Sequence, residues 1–258
     1  MESAQEVQAF MEIILVITLA PKQMEFAVKA VANGLITRRW LSLVSNTDGK
    51  CPLCRTQNHT IHHILSGCHV ALDQGRFTYR HNSVLRVIKG WLNKALEEKQ
   101  ERKNDTLKKF TLWTDLQGEN IDTNLPPGVK HNDLGGWKPD IILSTTTDSI
   151  MEGPVTTVWI IELTCPTEQR FDASNDLKRR KYTPLAQHLF TKSNIDDVAL
   201  VPIEVGARGR PSASLRHLQP LLGKYWKNAI EEAGRAAIIA SMQIYYGSES
   251  LTWRHAMS

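Results

Sequence analysis

Three cysteines and a histidine form a Cys-x2-Cys-x8-His-x4-Cys array at Cys51, Cys54, His63 and Cys68. Two thiolates on a tight turn, an imidazole and a third thiolate are the ligand complement of a closed, structural tetrahedral Zn²⁺ site. His59 and His62 are near enough in the chain to substitute for His63. Further along, Lys138-Pro139-Asp140 runs into Ile141-Ile142-Leu143, and a single acid, Glu162, interrupts the apolar run from Val158 to Leu163. Burying a lone carboxylate is expensive, so Asp140 and Glu162 read as a pair of hard oxygen ligands suited to Mg²⁺. A cation held there would polarise a phosphoryl oxygen and lower the pKa of an attacking water. Lys178 and Lys181 follow at i, i+3 spacing, on one face of a helix, where an ammonium could stabilise developing negative charge. The plain alternatives are a turn cap for Asp140, a solvent-facing strand position for Glu162 and a solvated helix face for the lysines. Together, a thiolate knuckle, two acids and trailing lysines point toward cleavage of nucleic acid.

These groups need elements to position them. Val84, Leu85, Ile88, Trp91, Leu92 and Ala95 recur at helical spacing, with Asn82 or Ser83 as the expected cap. Arg80, His81 and Asn82 would then open that helix, where backbone N–H groups favour a phosphate. Phe110 to Thr114, Ile141 to Ser144 and Val155 to Thr164 read as strands, the last apolar enough to be central. Ser174 to Thr191 reads as a helix with Leu177, Leu185, Leu189 and Phe190 on one face and Pro184 as a kink or break. Val198 to Val205 is a further strand that Pro202 assigns to an edge or a bulge, and Leu215 to Tyr246 is helical. Upstream, Gln5 to Trp40 is expected to be helical, interrupted at Pro21 and turning at Asn33-Gly34, and Gln117 to Trp137 is a loop.

The chain has 258 residues, a hydrophobic fraction of 41% and seven tryptophans, enough for one large domain or a core with a small appendage. A net charge of +4 says little alone. Its clustering at Arg76, Arg80 and Arg86, at Lys178 to Lys181 and at Arg208, Arg210 and Arg216 fits a phosphate footprint as well as ordinary solvated faces. Four cysteines, three of them in the knuckle, do not suit a secreted disulfide framework, so a reducing intracellular setting is expected. The run from Ile13 to Ala20 is too short to span a bilayer and lacks a basic leader, so no membrane association is expected.

The element order, with one acid opening the second strand and another in the third, resembles the restriction-enzyme-type nuclease core called PD-(D/E)xK. The chain more specifically resembles the C-terminal region of site-specific non-LTR retrotransposon polyproteins. The matching text is Cys51-Pro-Leu-Cys54, His63 to Cys68, Gln74 to Leu85, Lys138-Pro-Asp140, Ile161 to Pro166 and Lys178-x-x-Lys-Tyr182. The resemblance runs roughly from Phe26 to Trp253. It implies an α/β fold of mixed α+β type: a restriction-endonuclease-like core with a mixed central sheet flanked by helices, plus a helical and zinc-knuckle appendage. The boundaries are a helical segment over 1–50, a CCHC zinc knuckle over 51–70 and a nuclease domain over 76–258. The family's reverse transcriptase would lie upstream, and no Tyr-x-Asp-Asp signature occurs here. The implied activity is Mg²⁺-dependent nicking of DNA in the nucleus, with element RNA as a further partner and no small-molecule cofactor. Asp140, Glu162, Lys178 and Lys181 would be catalytic, and Arg76, Arg80, His81, Asn82, Arg179 and Arg180 would contact nucleic acid. Thr164 stands where the core's lysine usually sits, two residues after the second acid, which moves that duty to the following helix. The competing expectation is a nucleic-acid-binding protein with a degenerate, inactive core.

Overall fold

Pro21, which lacks an N–H that a first helical residue does not need, starts helix α1 (Pro21–Val31). The computed structural model describes residues 17–102, 106–116, 125–127, 129–149, 153–192 and 194–253. The helical expectation for residues 5–16 therefore lies outside the described residues, as do residues 13–16 of the apolar run. After α1 come α2 (Arg38–Val44), a π-helical turn (His63–Gly67), α3 (His69–Asp73) and the 26-residue α4 (Arg76–Glu101). Gly75, at φ 73°, makes the left-handed turn from α3 into α4. The helix thus opens at Arg76, well before the expected cap at Asn82 or Ser83.

Among the described residues four strands form one sheet: β1 (Leu107–Thr114), β2 (Ile141–Ser149), β3 (Gly153–Thr164) and β4 (Asp197–Glu204). The order is β1-β2-β3-β4, with β1, β2 and β3 antiparallel and β4 parallel to β3. A parallel neighbour demands a crossover, and the 20-residue α6 (Phe171–Phe190) supplies it. The short α5 (His131–Leu134) precedes β2, and α7 (Gln219–Leu222) and α8 (Trp226–Tyr246) close the chain. The result is a mixed α/β architecture, a four-stranded mixed sheet flanked by helices. No helix among the described residues is long and apolar enough to cross a membrane.

The strand alternation sets which side chains meet which helix. Ile161 and Leu163 of β3 join Val84, Leu85, Ile88 and Leu92 of α4 and Ala229, Ala233 and Ala237 of α8 in one core. Val158 and Ile160 face the other way, onto Tyr182, Leu185 and Leu189 of α6. Glu162 shares the parity of Val158 and Ile160, so it emerges beneath α6. β3 is covered on both sides, which is why its sequence is nearly all apolar. Pro202 lies on β4, an edge strand of the sheet, as expected. Pro184 leaves α6 continuous. Leu177 and Phe190 are exposed, so the core face of that helix is Tyr182, Leu185 and Leu189 instead. Asn33 turns the chain after α1 at φ 53°.

Candidate functional site

Asp140 ends the turn before β2, and β2 pairs with β3 so that Ile141 lies opposite Ile161. This register brings Asp140 beside Glu162, and the two are laced together through the backbone. The Asp140 N–H donates to Glu162 Oε1 at 3.0 Å, and the Leu163 N–H donates to Asp140 Oδ2 at 2.8 Å. From α6, Lys178 Nζ reaches Glu162 Oε2 at 2.7 Å and stands 3.9 Å from Asp140 Oδ2. From α4, His81 Nε2 lies 3.2 Å from Asp140 Oδ2, while its Nδ1 is 3.1 Å from Asn82 Oδ1. Two acids, an ammonium and an imidazole from four segments thus converge at one end of the sheet. Tyr182 braces them: its hydroxyl donates to the Lys138 carbonyl at 2.7 Å, holding the Lys-Pro-Asp turn against α6.

The two carboxyls are pushed in opposite directions. Glu162 has no exposed side-chain surface, and burial, aided by the Asp140 charge, raises its pKa to about 7 against the stabilising pull of Lys178. Asp140 is also penalised by burial, but the His81 hydrogen bond and charge, Lys178 and the Leu163 N–H outweigh it and hold its pKa below the ordinary value. The reverse holds for His81: burial works against its charged form, and the hydrogen bond and charge of Asp140 overcome that and raise its pKa. Separated carboxyl pKa values beside a cation are common at functional sites.

The thiolate cluster is a separate centre. One ligand atom from each of Cys51, Cys54, His63 and Cys68 lies within 4.8 Å of every other. Cys51 Sγ and Cys68 Sγ are 3.9 Å apart, and Cys54 Sγ and His63 Nε2 are 3.4 Å apart. Tetrahedral coordination at ordinary Zn–S and Zn–N lengths requires edges of about 3.8 Å and about 3.5 Å. The cluster could therefore hold a metal ion such as zinc. Burial pushes the Cys51 thiol up to about 11; at Cys54 burial is outweighed by hydrogen bonds from Thr56 and Gln57, and its pKa falls to about 6. The structure also decides between the histidines. His59 accepts the Arg38 N–H on Nδ1 at 3.2 Å and meets Ser248 Oγ through Nε2 at 3.2 Å, so it is already committed. His62 lines a different cavity, with Asn33, Thr167 and Arg208.

Several expected phosphate contacts are corrected. Arg76 and Arg80 are buried, at 0% and 2% exposure. Arg76 donates to the carbonyls of Gly247 and Ser250 and stacks 5.0 Å from the Trp253 ring centroid, which ties down the C-terminal segment. Arg80 serves three internal acceptors. Neither guanidinium can reach a phosphate. Because α4 starts at Arg76, Arg80, His81 and Asn82 lie inside the helix, where the N–H groups are already used, and the helix-terminus reading fails with them. Among the described residues Lys181 forms no ion pair with either acid; its Nζ stands 3.1 Å from the Tyr182 hydroxyl. Arg179 and Arg180 stand exposed on α6, as a phosphate contact requires. Thr164, in the place of the usual lysine, has a buried hydroxyl without a hydrogen-bond partner among the described residues.

What the sequence reading missed is the pairing of His81 with Asp140. His81 precedes Val84 by three residues and Leu85 by four, so extending that apolar stripe backward would have aimed it at the sheet. Glu204 was also missed. It is a buried acid at the end of β4, held by Asn175 at 2.9 Å and Ser212 at 2.8 Å. Compared with known proteins, the chain matches no protein-family model and no curated sequence.

Proposed function

We propose that this chain is a metal-dependent DNA endonuclease with a restriction-enzyme-like core and a zinc-knuckle appendage, related to the endonuclease end of site-specific non-LTR retrotransposon polyproteins. The observation that carries the reading is the meeting of Asp140, Glu162 and Lys178 across β2, β3 and α6. A buried acid pair with one lysine has little value as a stabilising device, since well-packed apolar residues would serve at least as well.

Asp140 and Glu162 would hold the Mg²⁺, their hard oxygen donors fitting that ion. Bound there, it would polarise the phosphoryl oxygen and acidify a water. Lys178, 20% exposed, would neutralise charge developing on the phosphate. His81 orients Asp140, and Asn82 orients His81. Tyr182 fixes the turn that presents Asp140, which makes it a positioning residue. Arg179 and Arg180 would hold the DNA backbone, and the Cys51–Cys54–His63–Cys68 centre would carry structural zinc. Nuclear DNA would be the substrate, with element RNA as a further partner.

One observation favours the alternative of a nucleic-acid-binding protein with an inactive core. Glu162 is wholly buried, with Oε1 and Oε2 already engaged by the Asp140 N–H and by Lys178. A plasmid-nicking assay separates the two. Mg²⁺-dependent nicking that disappears in Asp140→Asn, with DNA binding retained, supports the enzyme. Binding without nicking in the wild type supports the inactive core.

A further inference from the structure

Arg80 is a buried cation with no carboxylate within ion-pair distance among the described residues. Its acceptors are all neutral and come from three different segments. Nη1 donates to the Leu65 carbonyl at 2.9 Å and to Ser241 Oγ at 3.2 Å, and Nη2 donates to the Cys165 carbonyl at 2.8 Å. Nε has no hydrogen-bond partner among the described residues, and the Phe77 ring centroid lies 5.5 Å from the guanidinium carbon. Such a charge is costly to bury, and an apolar side chain of similar length would be cheaper. The segments that it joins supply a reason for keeping it.

Leu65 lies in the π-helical turn between two members of the thiolate cluster, His63 and Cys68. Cys165 is three residues beyond Glu162, where β3 ends. Ser241, on α8, donates in turn to the Ala207 carbonyl, and the Ala207 N–H donates to the Pro166 carbonyl at 2.7 Å. The residue after Arg80 is His81, which holds Asp140. A single planar fork therefore links the metal-ligand turn, the exit of the strand that carries Glu162, and the helix that orients Asp140.

We propose that Arg80 is a positioning residue that couples occupancy of the Cys51–Cys54–His63–Cys68 centre to the geometry of the Asp140–Glu162 pair. This inference rests on the nuclease reading given above. A metal ion fixes His63 and Cys68 and, between them, the Leu65 carbonyl. With that acceptor in place Arg80 is satisfied and holds the Cys165 carbonyl and the first turns of α4. When the metal leaves, the turn loosens and Nη1 keeps only Ser241, so the fork shifts toward new acceptors. The β3 exit and His81 shift with it, and the acid pair loses affinity for a divalent cation. Lysine can replace this only in part, because one ammonium does not span three acceptors in a plane.

The test uses Mn²⁺ as a probe of the acid pair, followed by electron paramagnetic resonance, on the full chain with zinc content measured in parallel. Asp140→Asn identifies the Mn²⁺ bound at that pair. Arg80→Met is expected to keep zinc and weaken that Mn²⁺ site roughly tenfold or more, with Arg80→Lys recovering only part of it. Zinc titrated into metal-depleted wild type should tighten Mn²⁺ binding by a similar factor, and this gain should vanish in Arg80→Met. Wild-type Mn²⁺ affinity in a zinc-loaded, folded Arg80→Met overturns the coupling and leaves the nuclease reading standing. Mn²⁺ binding indifferent to Asp140→Asn overturns the nuclease reading itself. Should Arg80→Met fail to fold, the wild-type zinc titration decides alone, and a Mn²⁺ affinity that ignores zinc refutes the proposal.

Discussion

Replacing Glu162 by glutamine should make the metal-free protein more stable at neutral pH while abolishing nicking. The carboxyl has no exposed surface, and burial together with Asp140 raises its pKa from 4.5 to about 7. The folded state therefore keeps a proton that the unfolded chain has lost, so stability falls as pH rises from the unfolded value through the folded one. Fully expressed, that gap corresponds to about 3 kcal/mol, since each pH unit is worth about 1.4 kcal/mol. Glutamine removes this term and still accepts the Asp140 N–H through its oxygen. Its amide faces Lys178, which loses its 2.7 Å carboxylate partner and keeps Asp140 Oδ2 at 3.9 Å and the Tyr182 ring. That loss trims the expected gain to about 2 kcal/mol, or roughly 4–8 °C in Tm for a chain of this size. Denaturant unfolding of both proteins without added Mg²⁺ should give nearly equal stabilities at pH 4.5, with the variant ahead by pH 7.5. A variant less stable than wild type at pH 7.5, or a difference that does not grow with pH, would refute the reasoning. A gain in stability with loss of activity is what a site kept for function predicts.

The remaining predictions are simpler. Lys178→Ala should slow nicking at least about tenfold, or about 1.4 kcal/mol of barrier, whereas Lys181→Ala should change it little. Equal losses in the two variants would contradict the separation seen in α6. Purified protein should carry one zinc per chain, and Cys54→Ser should lose it and destabilise the segment from Cys51 to Cys68; full zinc retention, read by elemental analysis, would count against the tetrahedral set. Arg179→Ala and Arg180→Ala should each weaken DNA binding and reduce the salt dependence of log affinity by about one. Arg76→Ala should instead lower thermal stability by loosening the C-terminal segment, and an unchanged salt slope in a folded Arg76 variant would mark it as structural.

The elements that carry the chemistry were legible because hydrophobic periodicity is local. β3 announced itself as a strand buried on both faces, Glu162 stood out as the one acid within it, and the cysteine spacing marked a metal-ligand array. Lys178 and Lys181 were both visible as candidates, but i, i+3 spacing places two residues on one face without saying which points at the sheet. The rotation of α6, set by Tyr182, Leu185 and Leu189 in the core, gave the acids Lys178 and sent Lys181 to the tyrosine hydroxyl. The start of α4 was misread because Arg76 and Arg80 occupy the inward positions that continue backward from Val84 and Ile88. Charged residues erase the apolar signal there, and only the carbonyls of distant segments make those positions tolerable. The same long-range register decided that His81 meets Asp140 and that His63, rather than His59, completes the thiolate cluster. Spacing along the chain names which groups are near a site; which way each one points is decided by the packing of elements far apart in sequence.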